Sequence, residues 1–123
     1  MAVVLCTGID GSILATRRLI LEAAGHKVFT VTDERALLTL CKEHRFDVAV
    51  VGQAVDNAVK RRIGALIRTN CPQAKVLELY EPHLGRALND ADSWLLTPTD
   101  VPRDLPDHVE ELAKQAKPKE RGA

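Results

Sequence analysis

The residues best placed to do chemistry lie where apolar runs end. Thr7-Gly8-Ile9-Asp10-Gly11 sets two glycines and an acid directly after Val3–Cys6. Phosphate-binding loops occur in such places, but the segment is neither GxGxxG nor a Walker motif. By itself it supports a turn with Asp10 as helix cap. Asp56 follows the run Asp47–Val51 in the same manner and reads as the cap of the next helix. Neither acid has a second acid at the spacing a divalent cation needs. Cys6, Cys41 and Cys71 are odd in number, with no CxxC, and fit free thiols in a reducing cytoplasm. A nucleophilic role would need a lowered thiol pKa and a base partner, which the sequence does not offer. His26, His44, His83 and His108 are scattered without zinc-ligand spacing. Arg17-Arg18, and Lys60-Arg61-Arg62 with Arg68, read as solvated helix faces, with a phosphate or an acidic partner as the functional alternative. Neither cluster has the recognition-helix context of a DNA binder.

The elements that must position these residues alternate regularly. Val3–Cys6, Lys27–Val31, Asp47–Val51, Lys75–Tyr80 and Ser93–Leu96 are short apolar runs, as strands buried on both faces require. Between them apolar residues recur at helical spacing: Ile13, Leu14, Ile20, Leu21 and Ala24; Leu37, Leu40 and Cys41; Val59, Ile63, Leu66 and Ile67. A last amphipathic stretch carries Leu105, Val109, Leu112, Ala113 and Ala116. Gly25 and Pro72 stop the helices before them. Such alternation predicts a doubly wound α/β fold with a parallel sheet, and the flavodoxin-like order 2-1-3-4-5 fits the element count. Ligands in such sheets sit at the carboxyl ends of the strands, which singles out Thr7–Asp10, Gly52–Asp56, Tyr80–His83 and Thr97–Thr99.

Composition narrows the function classes. The 123 residues carry 17 basic and 17 acidic side chains, 46% apolar residues and only 3% aromatics. That balance supplies no global field for nucleic acid or anionic membranes, and few stacking platforms for single strands. No apolar run approaches the roughly 18 to 20 residues of a membrane span, and the N-terminus lacks signal-peptide character. The expectation is one cytoplasmic domain over 1–117 and a polar, frayed tail over 118–123.

Several segments, in order, resemble the receiver domain of bacterial two-component response regulators (CheY-like). Arg45–Gly52 resembles the strand leading to the phosphate-accepting aspartate. Leu66–Arg68, Cys71-Pro72 and Val76-Leu77 resemble the third helix and fourth strand. Ala91–Pro98 resembles the fifth strand with its Lys-Pro step, and Leu21–Val28 the first helix running into strand two. The similarity spans about residues 3–116. It implies phosphoryl transfer to a carboxylate: an acid pair after strand one holds Mg²⁺, an acid ending strand three is the nucleophile, and a hydroxyl and a lysine read the phosphoryl group.

The chain departs from that pattern at each such position. The acid pair falls on Gly8 and Ile9, the nucleophile on Gly52, the hydroxyl on Tyr80 and the lysine on Thr97; only Pro98 persists, and the resemblance implies a cis bond before it. Losing metal ligands, nucleophile and cation together removes the electrostatic terms of the reaction. The resemblance therefore implies a pseudo-receiver: not an enzyme, with no cofactor and no Mg²⁺, acting through a protein partner or self-association in signal transduction. The alternatives are a small-molecule module over Gly8, Gly52 and Thr97, a phosphoacceptor shifted to Asp10 or Asp56, and, least supported, an enzyme of another kind.

The family's fourth helix is expected to be shortened or missing, because Glu81–Asp90 is brief and broken by Pro82 and Gly85. Glu78 lies in a strand that should be internal, on one face with Tyr80, where an isolated carboxylate is costly. An open interaction surface around Glu78, Tyr80, His83 and Leu84 is one expectation. The other is a covering loop with Glu78 paired to a nearby base.

Overall fold

The computed structural model describes residues 2–52, 56–98 and 101–116. Five strands run in parallel: β1 (Val3–Thr7), β2 (Lys27–Val31), β3 (Val48–Val51), β4 (Lys75–Tyr80) and β5 (Ser93–Leu96), in the order β2-β1-β3-β4-β5. Four helices connect and close them: α1 (Gly11–Ala23), α2 (Glu34–Glu43), α3 (Asn57–Asn70) and α4 (Asp104–Ala116). The order and parallel sense are those expected from the alternating pattern. The tail at 118–123 lies outside the described residues.

Strand alternation divides the core between the two sheet faces. On one face Val4, Cys6, Val50, Leu77 and Leu79 pack with Leu14 and Leu21 of α1 and with Val109 and Leu112 of α4. On the other, Leu5, Ala49, Val51 and Val76 pack with Leu37 of α2 and Ile67 of α3. Asp10 caps α1, its carboxylate accepting from the Ser12 and Ile13 amides at 2.8 and 3.2 Å. Asp33 does the same for α2 at Ala36 N. Asp56 holds the N-cap position of α3 without a side-chain capping bond.

No helix joins β4 to β5. Residues 81–92 cross as turns and extended chain, so the expected loss of the fourth helix is complete. Gly64 lets this segment approach α3 closely: a Cβ there would meet Leu88 Cδ2 at 2.9 Å. Trp94 Nε1 donates to Leu88 O at 3.0 Å, and Asn57 Nδ2 donates to Leu84 O at 3.1 Å.

The expectation of three free thiols is overturned. Cys41 and Cys71 form a disulfide, and among the described residues Cys6 alone is free. The sheet lays the ends of α2 and α3 side by side, which brings the two Cα atoms to 5.6 Å, well within bridging distance. No motif marks this pairing in the sequence, and the cysteines no longer argue for a reducing compartment. No described helix is long and apolar enough to cross a membrane.

Candidate functional site

The carboxyl ends of β1, β3, β4 and β5 bring together the positions at which the resemblance expects phosphoryl chemistry. Gly8 follows β1 and bonds through its amide to Val31 O at 3.3 Å. Ile9 beside it is 64% exposed and offers no ligand atom. Gly52 follows β3 and donates its amide to Thr7 O at 3.2 Å. Tyr80 ends β4, and Thr97 follows β5 with its hydroxyl donating to Tyr80 O at 3.4 Å. The Thr97–Pro98 bond is cis, as the resemblance implies.

What fills this corner is Arg17. The side chain comes from α1 and is only 9% exposed, not solvated as its place in a basic pair suggests. A Cβ built on Gly52 would meet Arg17 Nη1 at 3.1 Å and Thr7 O at 3.0 Å. Arg17 therefore stands where the first side-chain atom of an acceptor residue would project. Burial pulls its guanidinium below the ordinary arginine value, opposed by the neighbouring Cys6. The space enclosed by Gly8, Asp10, Leu14, Arg17 and Gly52 is only about 10 Å³. A Mg²⁺ ion does not fit these residues. Gly8, Ile9 and Gly52 supply no side-chain oxygen, Asp10 is engaged as a cap, and a guanidinium already occupies the centre. Among the described residues no group of three His, Cys, Asp or Glu could hold a metal.

Cys6 lies beneath this corner, fully buried, its thiol pushed up to about 12 by burial, with Arg17 lowering it slightly. It is a packed hydrophobe and not a nucleophile. The folded chain is expected to leave Cys6 unlabelled by iodoacetamide at pH 8, with labelling only after unfolding. Stability should also fall as pH rises from 9 toward 12, where the unfolded thiol ionises while the folded one keeps its proton. Labelling of the native protein by intact mass would contradict this placement.

Of the two expectations for Glu78, the covering segment with a paired base is the one found, and the basic outer face of α3 needs correction. Glu78 does not face an open surface: it and Lys60 are both 0% exposed, and Lys60 Nζ lies 3.0 Å from Glu78 Oε2. The carboxylate also accepts from the amides of Ala87 and Leu88 at 2.7 and 2.9 Å, and Lys60 Nζ donates to Leu79 O at 2.7 Å. The motive for a surface centred on Glu78 is gone. In its place a covering segment bonds to the sheet through the Ala87 and Leu88 amides on Glu78, whose charge Lys60 of α3 balances. By the same token Lys60 is no part of a basic outer face. Arg62 pairs with Glu34, holding that carboxyl below its usual range by hydrogen bonding, and Arg68 bridges Asp90 and Asp92. A lysine inside a basic triplet carries no sequence mark of burial; the acid in strand β4 was the only signal.

The covering segment also builds a surface that keeps Tyr80 and Leu84 of the expected one and adds Arg86, Trp94 and Leu96, which the sequence did not mark. Arg86 is stacked between the chain's one tyrosine and one tryptophan, its guanidinium carbon 5.3 Å from the Tyr80 ring centre and 4.6 Å from that of Trp94. Leu84 and Leu96, on the same segment and on β5, are 45% and 44% exposed.

No family model matches the sequence, and no curated protein does. Solved structures do match. Full-length FixJ from B. japonicum superposes with a TM-score of 0.75 at 16% identity, over 98% of this chain but 61% of that longer one. A CheY-like response regulator receiver domain protein from Methanospirillum hungatei gives 0.74 at 19% identity, covering 94% of this chain and 96% of that one. The response regulator TrrA from Thermotoga maritima, solved with Mg²⁺ and BeF, gives 0.74 at 18%, covering 91% and 99%. At such identities the likeness speaks for architecture. The five-stranded parallel sheet, its order and these superpositions agree: the chain has the flavodoxin-like fold of CheY-like receiver domains.

Proposed function

We propose that this chain is a pseudo-receiver, a signalling module on the receiver fold that does not accept phosphate at the family's position and is not an enzyme. The observation that carries the reading is the Arg17 guanidinium, 3.1 Å from the Cβ position at Gly52. A fixed cation there takes the place of both the acceptor side chain and the metal that would neutralise the phosphoryl oxygens. A receiver switches because phosphate binds one of its states better. Without that bias the domain holds one state or answers to another signal. Its output is then a contact with a protein partner or a second copy. The stacked Tyr80, Arg86 and Trp94, residue types that dominate binding energy at protein interfaces, mark the face that serves it.

The test is an amide NMR titration with Mg²⁺ and beryllofluoride, with intact mass after incubation with acetyl phosphate. The expected result is no shift at Gly8, Gly52 or Thr97 and no added mass. The same result is expected for Gly52→Asp, because the metal ligands are still missing and Arg17 still fills the corner. Saturable shifts with a phosphate mass on Asp10 or Asp56 would overturn the reading.

A further inference from the structure

The two sulfurs of the Cys41–Cys71 bridge differ in what covers them. Cys41 lies in the last turn of α2 and is half-buried, whereas Cys71 follows α3 and is 1% exposed. Cys71 belongs to the core of its sheet face with Ile67, Ala74 and Val76, and Cys41 packs against that cluster from outside. Thiol–disulfide exchange needs a thiolate to reach one sulfur directly, so access decides which sulfur is attacked. Cys41 keeps contact with solvent, and Cys71 would have to be reached through the core. Cys6 takes no part, because it is fully buried in the core of the opposite face. Opening the bridge also leaves α2 held at both ends. Its start is tied to α3 by Glu34 with Arg62, and Leu37 is seated in the core. Its end runs into His44, whose ring lies 4.3 Å from that of Phe29 and 6.0 Å from that of Phe46.

We infer that the Cys41–Cys71 bridge is a reversible thiol-exchange site of the folded chain, entered by a dithiol reductant through Cys41. One thiolate of the dithiol attacks Cys41 Sγ and forms a mixed disulfide there, and the bridge breaks with its electron pair on Cys71 Sγ. Cys71 then takes a proton, because apolar surroundings disfavour a thiolate. The second thiolate attacks the reductant's own sulfur in the mixed disulfide and releases Cys41, which takes a proton in turn. The bridge gains two electrons and two protons, and the dithiol leaves as a disulfide. A disulfide oxidant reverses the sequence, with Cys41 again carrying the mixed disulfide. The inference does not depend on the pseudo-receiver reading, since phosphate acceptance and thiol exchange are measured separately.

The probes are reduced glutathione, a single thiol that stops at the mixed disulfide, and dithiothreitol, which completes the reduction. The full, folded chain is exposed to glutathione, quenched with N-ethylmaleimide in acidic urea, and its peptides are weighed. Glutathione on Cys41 with maleimide on Cys71 is expected in about ten chains for each with the reverse. Dithiothreitol without denaturant should open the bridge and keep a folded amide NMR spectrum, with shifts at the ends of α2 and α3 and at His44. Oxidised glutathione should then restore the first spectrum. Cys71→Ser repeats the test without the bridge, since Cys41 should take glutathione from its disulfide in the folded chain, and in Cys41→Ser the remaining Cys71 should take it only in urea. Should either variant not fold, the wild-type adduct ratio still decides. Equal adducts on the two cysteines, or an excess on Cys71, would show exchange through the unfolded chain and overturn the inference. So would a bridge that dithiothreitol opens only in urea, or a reduced chain that oxidised glutathione does not return to its first spectrum.

Discussion

Lys60→Met is expected to lower the unfolding free energy by about 3–5 kcal/mol, a large part of the roughly 5–15 kcal/mol that holds a domain folded. The variant leaves the Glu78 carboxylate at 0% exposure with its cation removed. An intact buried pair contributes little over an apolar one, because desolvation offsets its attraction; removing Lys60 leaves a buried charge with no counter-charge and only the Ala87 and Leu88 amides on it. Adding Glu78→Gln to Lys60→Met removes that charge and keeps an amide oxygen for the Ala87 or Leu88 N–H. The double variant is therefore expected to be more stable than Lys60→Met alone. Urea unfolding followed by the fluorescence of Trp94 reads both, and it reads them locally, because Trp94 Nε1 is bonded to Leu88 O in the covering segment. A loss below about 1 kcal/mol for Lys60→Met, the size of a surface ion pair, would mean that the pair is wet and the segment loose.

The second large effect is expected on reduction of the disulfide. Cys41 and Cys71 close a loop with a sequence separation of 30, for which the chain-entropy model gives about 3–4 kcal/mol at 25 °C. For a domain of this size that corresponds to a fall in melting temperature of roughly 10–20 °C. Cys41→Ser/Cys71→Ser should reproduce the reduced protein's melting curve, and a reductant should then have no further effect. Because the bond ties the end of α2 to the end of α3, hydrogen exchange should quicken first at those helix ends and not in α1 or α4. Equal melting with and without reductant would show that the two thiols are not bridged in solution.

The two effects concern the same sheet face. In place of a fourth helix, the covering segment bonds through the Ala87 and Leu88 amides to Glu78, which is paired with Lys60 of α3, and through Asp90 and Asp92 to Arg68, while a covalent bond ties α2 to α3. Leu88 adds the packing term, seated on Gly64 of α3.

The order of the sheet, the cap at Asp10, the loss of most of the fourth helix and the loss of acid at Gly8, Ile9 and Gly52 were legible in the sequence. They depend on local periodicity, on turn and capping chemistry, and on which residue types follow each strand, all of which a linear chain displays. Three features were not legible, and each is a contact between residues distant along the chain. Arg17 and Lys60 sit in basic runs that read as solvated faces, yet long aliphatic stems let both charges reach inward from helix positions. Whether they do so depends on what lies opposite: the bare backbone at Gly52 for one, Glu78 for the other. Cys41 and Cys71 have no motif between them, and only the parallel stacking of α2 beside α3 brings their Cα atoms to 5.6 Å. Sequence pattern determined which elements form and which chemistry is missing. The tertiary structure decided what stands in the vacated positions, because burial of a charge or closure of a sulfur bridge depends on a partner that only the fold supplies.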